Sequence, residues 1–165
     1  MLVALGVSGG IAAYKACEVV RGLDRAGCAV QVVLTANAAR FITPLTLQTL
    51  SRRKVALDPF DLSSPETARH VELAREISAL VVAPATANVL AKFARGIADD
   101  LLSTFSLAVA SPVVVAPAMN ARMWLHPATR DFLGLAAEQR ERRRRELVRL
   151  REHRDAGLHQ DLVAR

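Results

Sequence analysis

Two stretches of this chain place an amide just beyond a proline: Pro84-Ala85-Thr86-Ala87-Asn88 and Pro117-Ala118-Met119-Asn120. An amide donates and accepts hydrogen bonds without carrying charge. The second stretch runs on through Ala121-Arg122-Met123-Trp124, so Asn120 stands between two flexible thioethers and next to the only Trp. Such a set can orient a small polar or anionic ligand in an otherwise apolar cleft. The same residues also read as a strand and loop with a core Met and Trp. In the first stretch Thr86 and Asn88 supply donors, and the small residues before Asn88 let a flat ligand approach the backbone. A third candidate is the glycine turn Ser8-Gly9-Gly10-Ile11-Ala12-Ala13-Tyr14-Lys15, which opens a helix. Backbone N–H groups and the positive end of the helix dipole suit a phosphate there. The turn also reads as packing alone. It is not the dinucleotide fingerprint, because Ser8 stands where the second glycine belongs. Thr35 and Asn37 close the next apolar run, and a hydroxyl there suits a phosphate oxygen better than a ribose diol. His70 can titrate near neutrality and act as a base; on an apolar helical stripe it equally reads as a satisfied core residue.

These groups need elements to hold them. Leu2–Val7, Ala29–Leu34 and Ala79–Pro84 are short apolar runs, each bounded by turn residues. The β-branched run that opens at Val113 and stops at Pro117 is a fourth. Such runs suit strands of a parallel sheet buried on both faces. Between them lie helical patterns: Ala16, Val19, Val20 and Leu23 on one stripe before Gly27, and His70, Leu73, Ala74 and Ile77 on another over Glu66 to Ile77. Phe41, Pro44, Leu45, Leu47 and Leu50 predict short helical turns, and Asp58 to Pro65 a loop. A helix through Phe93 is broken at Gly96, and Asp99 or Asp100 caps the next, which runs to near Ser111. The alternation predicts an α/β fold with a parallel sheet and helices on both faces. In such sheets ligands bind beyond the carboxyl ends of the strands, which is where every candidate residue but His70 falls.

Composition narrows the class. The chain is 52% apolar with only 4% aromatic residues, which fits a tightly packed Ala/Val/Leu interior. No apolar run is long enough to span a bilayer and no signal-peptide pattern is present. Cys17 and Cys28 lack the spacing of a metal knuckle, so no metal is expected and the cytoplasm is the expected compartment. Much of the basic side of the net charge of +6 lies in the last thirty residues, where Arg140-Glu141-Arg142-Arg143-Arg144-Arg145-Glu146 begins an arginine-rich helical pattern. Interleaved acids and the lack of aromatics make that pattern a solvated helix, and no nucleic-acid partner is expected.

Six motifs stand in register: the glycine turn from Gly6 to Lys15, Thr35…Ala38…Phe41, His70-Val71-Glu72-Leu73-Ala74, Pro84-Ala85-Thr86-Ala87-Asn88, Gly96-Ile97-Ala98-Asp99-Asp100-Leu101-Leu102, and Pro117 to Trp124. On these the chain closely resembles the flavin-containing cysteine decarboxylases, over residues 1–134. The resemblance implies a Rossmann-like, flavodoxin-like three-layer fold. It implies assembly as a homotrimer, or a dodecamer of trimers, with FMN at the subunit interface. Ser8, Gly9, Gly10 and Thr35 then lie near the FMN phosphate, and Phe41, Thr86, Ala87 and Asn88 near the rest of the flavin. His70 matches the active-site base, and Asn120 matches the amide that holds the substrate, with Met119 beside it. The implied reaction is decarboxylation of 4′-phosphopantothenoylcysteine towards 4′-phosphopantetheine in coenzyme A biosynthesis. A cysteine carboxyl end has no electron sink; once the thiol-bearing carbon is oxidised, sulfur can accept the electrons that CO₂ loss frees. The other readings within the family are a non-catalytic FMN-binding trimer and a peptidyl-cysteine decarboxylase that stops at the enethiol. A flavin prenyltransferase shares the glycine turn, but Pro-Ala-Met-Asn and His70 argue against it. One departure stands out. The family carries a cysteine on a later clamp that protonates the enethiol intermediate, whereas the last cysteine here is Cys28. Residues 135–165 are therefore expected to be an Arg-rich helical tail outside the family pattern.

Overall fold

The computed structural model describes residues 1–57, 69–132 and 134. Four strands, β1 (Leu2–Val7), β2 (Ala29–Leu34), β3 (Ala79–Ala85) and β4 (Val113–Pro117), form one parallel sheet in the order β2-β1-β3-β4. The chain steps from β1 outward to β2, then crosses back to lay β3 on the other side of β1. The reversal puts the carboxyl ends of β1 and β3 at the switch point where α/β sheets bind ligands.

Two-sided burial explains the apolar runs, which Gln31 of β2 alone interrupts with a polar side chain. Val3 through Val7 of β1 and Val30 through Leu34 of β2 are all buried. One face of the sheet presents Leu5, Val7, Val30, Val32 and Leu34 to α1 (Ala16–Arg25) and α2 (Pro44–Ser51), which contribute Val20 and Leu47. The opposite face presents Ala4, Val33, Leu80 and Val82 to α3 (Arg69–Glu76), α4 (Ala87–Arg95) and α5 (Leu101–Ala108). Leu102 and Phe105 of α5 are wholly buried there, each worth about 1.5–3 kcal/mol relative to exposure. The expected three layers are thus present.

Local signals set the helix ends. A 3₁₀ stretch, Ile11–Lys15, leads into α1, and Gly27 follows that helix with φ of 77°. Gly96 ends α4 in the left-handed region at φ 68°. Asp100, one of the two expected caps, starts α5 with a reciprocal capping box to Ser103. That helix ends at Ala108 because Val109 turns extended. A short α6 (Ala121–Leu125) follows β4.

One expectation fails. The Val113–Pro117 run is not buried on both faces: none of its residues is buried, and Val114 is 56% exposed. Among the described residues β4 pairs with β3 alone and forms the edge of the sheet. The helix expected from Glu66 is described only as α3 from Arg69; the loop and tail expected over 58–65 and 135–165 lie outside the described residues.

Candidate active site

The turns that follow β1, β2, β3 and β4 converge on one cleft of about 920 Å³. Its walls come from residues 8–12, 35–37, 84, 86–89 and 118–120, with Lys92, Asp100 and Met123 closing the sides.

The glycine turn forms the first wall. Among the described residues the backbone N–H groups of Gly9, Gly10, Ile11 and Ala12 have no acceptor, and Ala13 N–H donates to Gly10 O at 2.9 Å. A run of free amides at the start of a helical segment is an anion cradle. Gly9 is required by close approach: a Cβ there would lie 2.5 Å from Asn37 Cβ and 2.7 Å from its carbonyl carbon. Gly10 has only ordinary contact to Thr86, so its missing side chain leaves room in the cleft. Thr35 lines the second wall, and its Oγ1 accepts from Ala38 N–H at 3.2 Å. Ser8 also lines the cleft, yet its hydroxyl donates to Pro84 O at 2.7 Å.

The third wall is the start of α4. Thr86 caps the helix, accepting from Val89 N–H at 3.5 Å. Because Thr86 is the cap, the Asn88 side chain takes no part in capping and is exposed on the cleft wall. In the fourth wall the assignment is reversed. Asn120 is itself the cap of α6, and its Oδ1 accepts from Arg122 N–H at 2.8 Å. Since a backbone N–H only donates, that bond fixes the amide's orientation and leaves the NH₂ end as a donor.

Lys92 lies one helical turn beyond Asn88 and lines the same cleft. Its side chain is 16% exposed, and its Nζ lies 2.6 Å from both Asp99 Oδ1 and Asp100 Oδ2. Burial alone would lower the Lys92 pKa, but hydrogen bonds and charge from Asp100 and Asp99 outweigh it and hold it above the ordinary lysine value. Burial likewise favours neutral Asp100, but Lys92 and the Ser103 amide and hydroxyl outweigh that and hold it below the ordinary carboxylate value. The lysine escaped the sequence reading; its signal was the Asn88-to-Lys92 spacing on one helical face ahead of two acids.

Of the residues singled out from sequence, Ser8, Gly9, Gly10, Thr35, Thr86, Ala87, Asn88, Met119 and Asn120 are brought together here. Phe41 is not among the lining residues; it is half exposed after β2. His70 is the second residue of α3, and its side chain lies outside the described residues.

A family model described as Flavoprotein matches residues 1–137. The chain belongs to that family. The expected kinship with the flavin-containing cysteine decarboxylases is borne out. The chain is 34% identical to the FMN-dependent cysteine decarboxylase SpaF, whose structure superposes with a TM-score of 0.79 over 84% of this chain and 80% of that one. It is also 34% identical to a mutant PPC decarboxylase complexed with pantothenoylaminoethenethiol, with a TM-score of 0.72 over 83% of this chain and 77% of that one. Among curated proteins, the coenzyme A biosynthesis bifunctional protein CoaBC of Bacillus subtilis (strain 168) is 50% identical over 128 residues, 78% of this chain. The match spans 32% of that relative's length, so the chain corresponds to about a third of it.

Proposed function

We propose that this chain carries out the FMN-dependent decarboxylation of phosphopantothenoylcysteine in coenzyme A biosynthesis. The observation that carries the reading is the pairing, in one cleft, of a free-amide cradle at residues 9–12 with the donor end of Asn120. The likeness to CoaBC and to the PPC decarboxylase supports this substrate.

The residues fit the cofactor. The amides of the glycine turn, with Thr35 beside them, suit its phosphate; Thr86, Ala87 and Asn88 suit the flavin ring, since Ala87 adds little bulk. A cleft of about 920 Å³ has room for a ligand of that size. When bound, FMN supplies the two-electron oxidation of the thiol-bearing carbon that makes CO₂ loss feasible. Asn120 then donates to the substrate carboxylate. An amide orients that group without neutralising it, so departure as CO₂ stays open. His70 takes up a proton during oxidation, a role suited to a group that titrates near neutrality. Met119 flanks the carboxylate site.

Assembly as a homotrimer, or as a larger oligomer of trimers, is part of the same reading. Ile11 and Tyr14 beside the glycine turn and Phe41 and Leu45 beyond β2 are all more than half exposed, a surface suited to contact with another subunit. No helix among the described residues is long and apolar enough to cross a membrane, and a cytoplasmic location fits the proposed pathway.

The test is to incubate the purified protein with phosphopantothenoylcysteine and follow CO₂ release and product mass together. A yellow protein that releases FMN on denaturation and evolves CO₂ is expected. No cysteine follows Cys28 in these 165 residues, so this polypeptide acting alone should deliver the enethiol, lighter than phosphopantetheine by two hydrogens. A colourless protein that fails to take up added FMN overturns the reading; bound FMN without CO₂ release makes it a non-catalytic flavoprotein.

A further inference from the structure

Ser8 stands where a phosphate grip is expected, but its hydroxyl is engaged elsewhere. The residue is 2% exposed. Its Oγ donates to Pro84 O at 2.7 Å, accepts from Thr86 N–H at 3.0 Å, and lies 3.2 Å from Thr86 Oγ1. Its own N–H reaches Pro84 O at 3.3 Å. A hydroxyl has one proton and two lone pairs. Here the proton is held by the β3–α4 corner and one lone pair by the first amide beyond it.

The sheet explains why a side chain is needed. The β1–β3 ladder stops at Gly6 and Val82. Beyond that point Pro84 offers no N–H, and the pairing of β3 with β4 shifts register between Val82 and Ala85. The main chain keeps only the long bond from Ser8 N–H to Pro84 O there, and the Ser8 side chain reinforces that connection. Directly after it come the free amides of residues 9–12, and directly after its partner Thr86 come Ala87 and Asn88.

We infer that Ser8 is a positioning residue: its hydroxyl fixes the separation between the two halves of the cleft and does not touch the ligand's phosphate. The ligand arm of the test rests on the FMN reading, whereas the exchange arm does not. Ser8→Ala and the near-isosteric Ser8→Cys are compared with the wild-type chain. Dissociation constants are measured for FMN and for riboflavin, which has the same ring and no phosphate. Amide hydrogen exchange is measured on the ligand-free proteins.

A positioning role weakens both flavins by the same factor in Ser8→Ala, on the order of tenfold, with Ser8→Cys in between because a thiol is the weaker donor. In the ligand-free variants exchange should quicken at Thr86, which loses its acceptor, and also at Ala13, on the far side of the glycine turn. A loss confined to FMN, with riboflavin unchanged, marks a direct phosphate contact and overturns the inference. So does unchanged affinity for both flavins. If the wild-type chain binds neither flavin, the FMN reading fails, and the exchange data decide alone: quickening at both Thr86 and Ala13 supports positioning, and an unchanged Ala13 refutes it. Should Ser8→Ala fail to fold, Ser8→Cys carries the same comparison.

Discussion

The two proline-to-asparagine turns look alike in sequence and are built differently. After β3, Pro84 is buried in the middle of the sheet, Thr86 caps α4, and Asn88 is left exposed in the first helical turn. After β4, Pro117 is exposed at the sheet edge, and Asn120 is both cap and cleft residue. The difference decides what each amide can offer. Asn88 is free to present either its oxygen or its nitrogen, as suits a flavin ring with both donors and acceptors. Asn120 has its oxygen engaged by Arg122 N–H, which fixes its NH₂ as the free donor, as suits a carboxylate. Which residue takes the cap therefore sets the chemistry of the amide beside it.

The sharpest way to break this comparison is Asn120→Asp. An aspartate keeps the cap, so stability should hold and FMN should still bind. On the proposed reading the donor is replaced by a charge like that of the substrate carboxylate, and turnover should fall by roughly a hundredfold or more in steady-state assays. If turnover survives, the amide's donor end is not what holds the carboxylate.

A second test concerns the ion cluster one helical turn beyond Asn88. Lys92→Met leaves Asp99 and Asp100 facing each other without the cation, and should cost on the order of 2 kcal/mol by denaturant unfolding. The wild-type pair also predicts a pH profile. Asp100 is held below its unfolded pKa, so its contribution is present above the ordinary carboxylate range and is lost as pH falls through the folded value. Lys92 is held above its unfolded pKa, so its contribution is complete below the ordinary lysine range and is lost as pH rises through the folded value. The stability difference between wild type and Lys92→Met should thus be flat near neutrality and shrink at both extremes. A constant difference across the whole range contradicts the ion cluster.

Thr86→Ala removes the cap that leaves Asn88 free and should cost about 1 kcal/mol. Both the cap and the contact of the Thr86 hydroxyl with Ser8 are lost, so flavin affinity should fall as well, in a binding titration. The smallest effect is expected at the edge strand: Val114→Ala should stay within about 0.5 kcal/mol. Val82→Ala in β3, by contrast, should cost about 2 kcal/mol, since Val82 is fully buried. Equal costs would mean that β4 is covered as β3 is.

Much of this was legible in the chain. Strand limits were readable because two-sided burial in a parallel sheet demands apolar runs, and Gly27 and Gly96 marked helix ends through their left-handed backbone. The edge position of β4 was not legible. Val113 to Val115 is as β-branched as any central strand, and only the strand order shows that it has one neighbour among the described residues. Lys92 was missed because its partners lie beyond the helix, across Gly96, and meet it only in the folded corner. Ser8 lines the cleft, but nothing local in the sequence reveals that its hydroxyl reaches a carbonyl 76 residues away.

That reach has a consequence for the order of assembly. β1 is made first, and β2 follows it closely enough for the β1–α1–β2 unit to close on contacts near in sequence. The second neighbour of β1 arrives only after α3, and the glycine turn gains its opposing wall only then. A nascent chain that has completed β2 thus already holds the free amides of residues 9–12 but cannot yet surround a ligand. Capture of a cofactor should stabilise only the finished sheet, because a ligand shifts folding solely through the states that bind it.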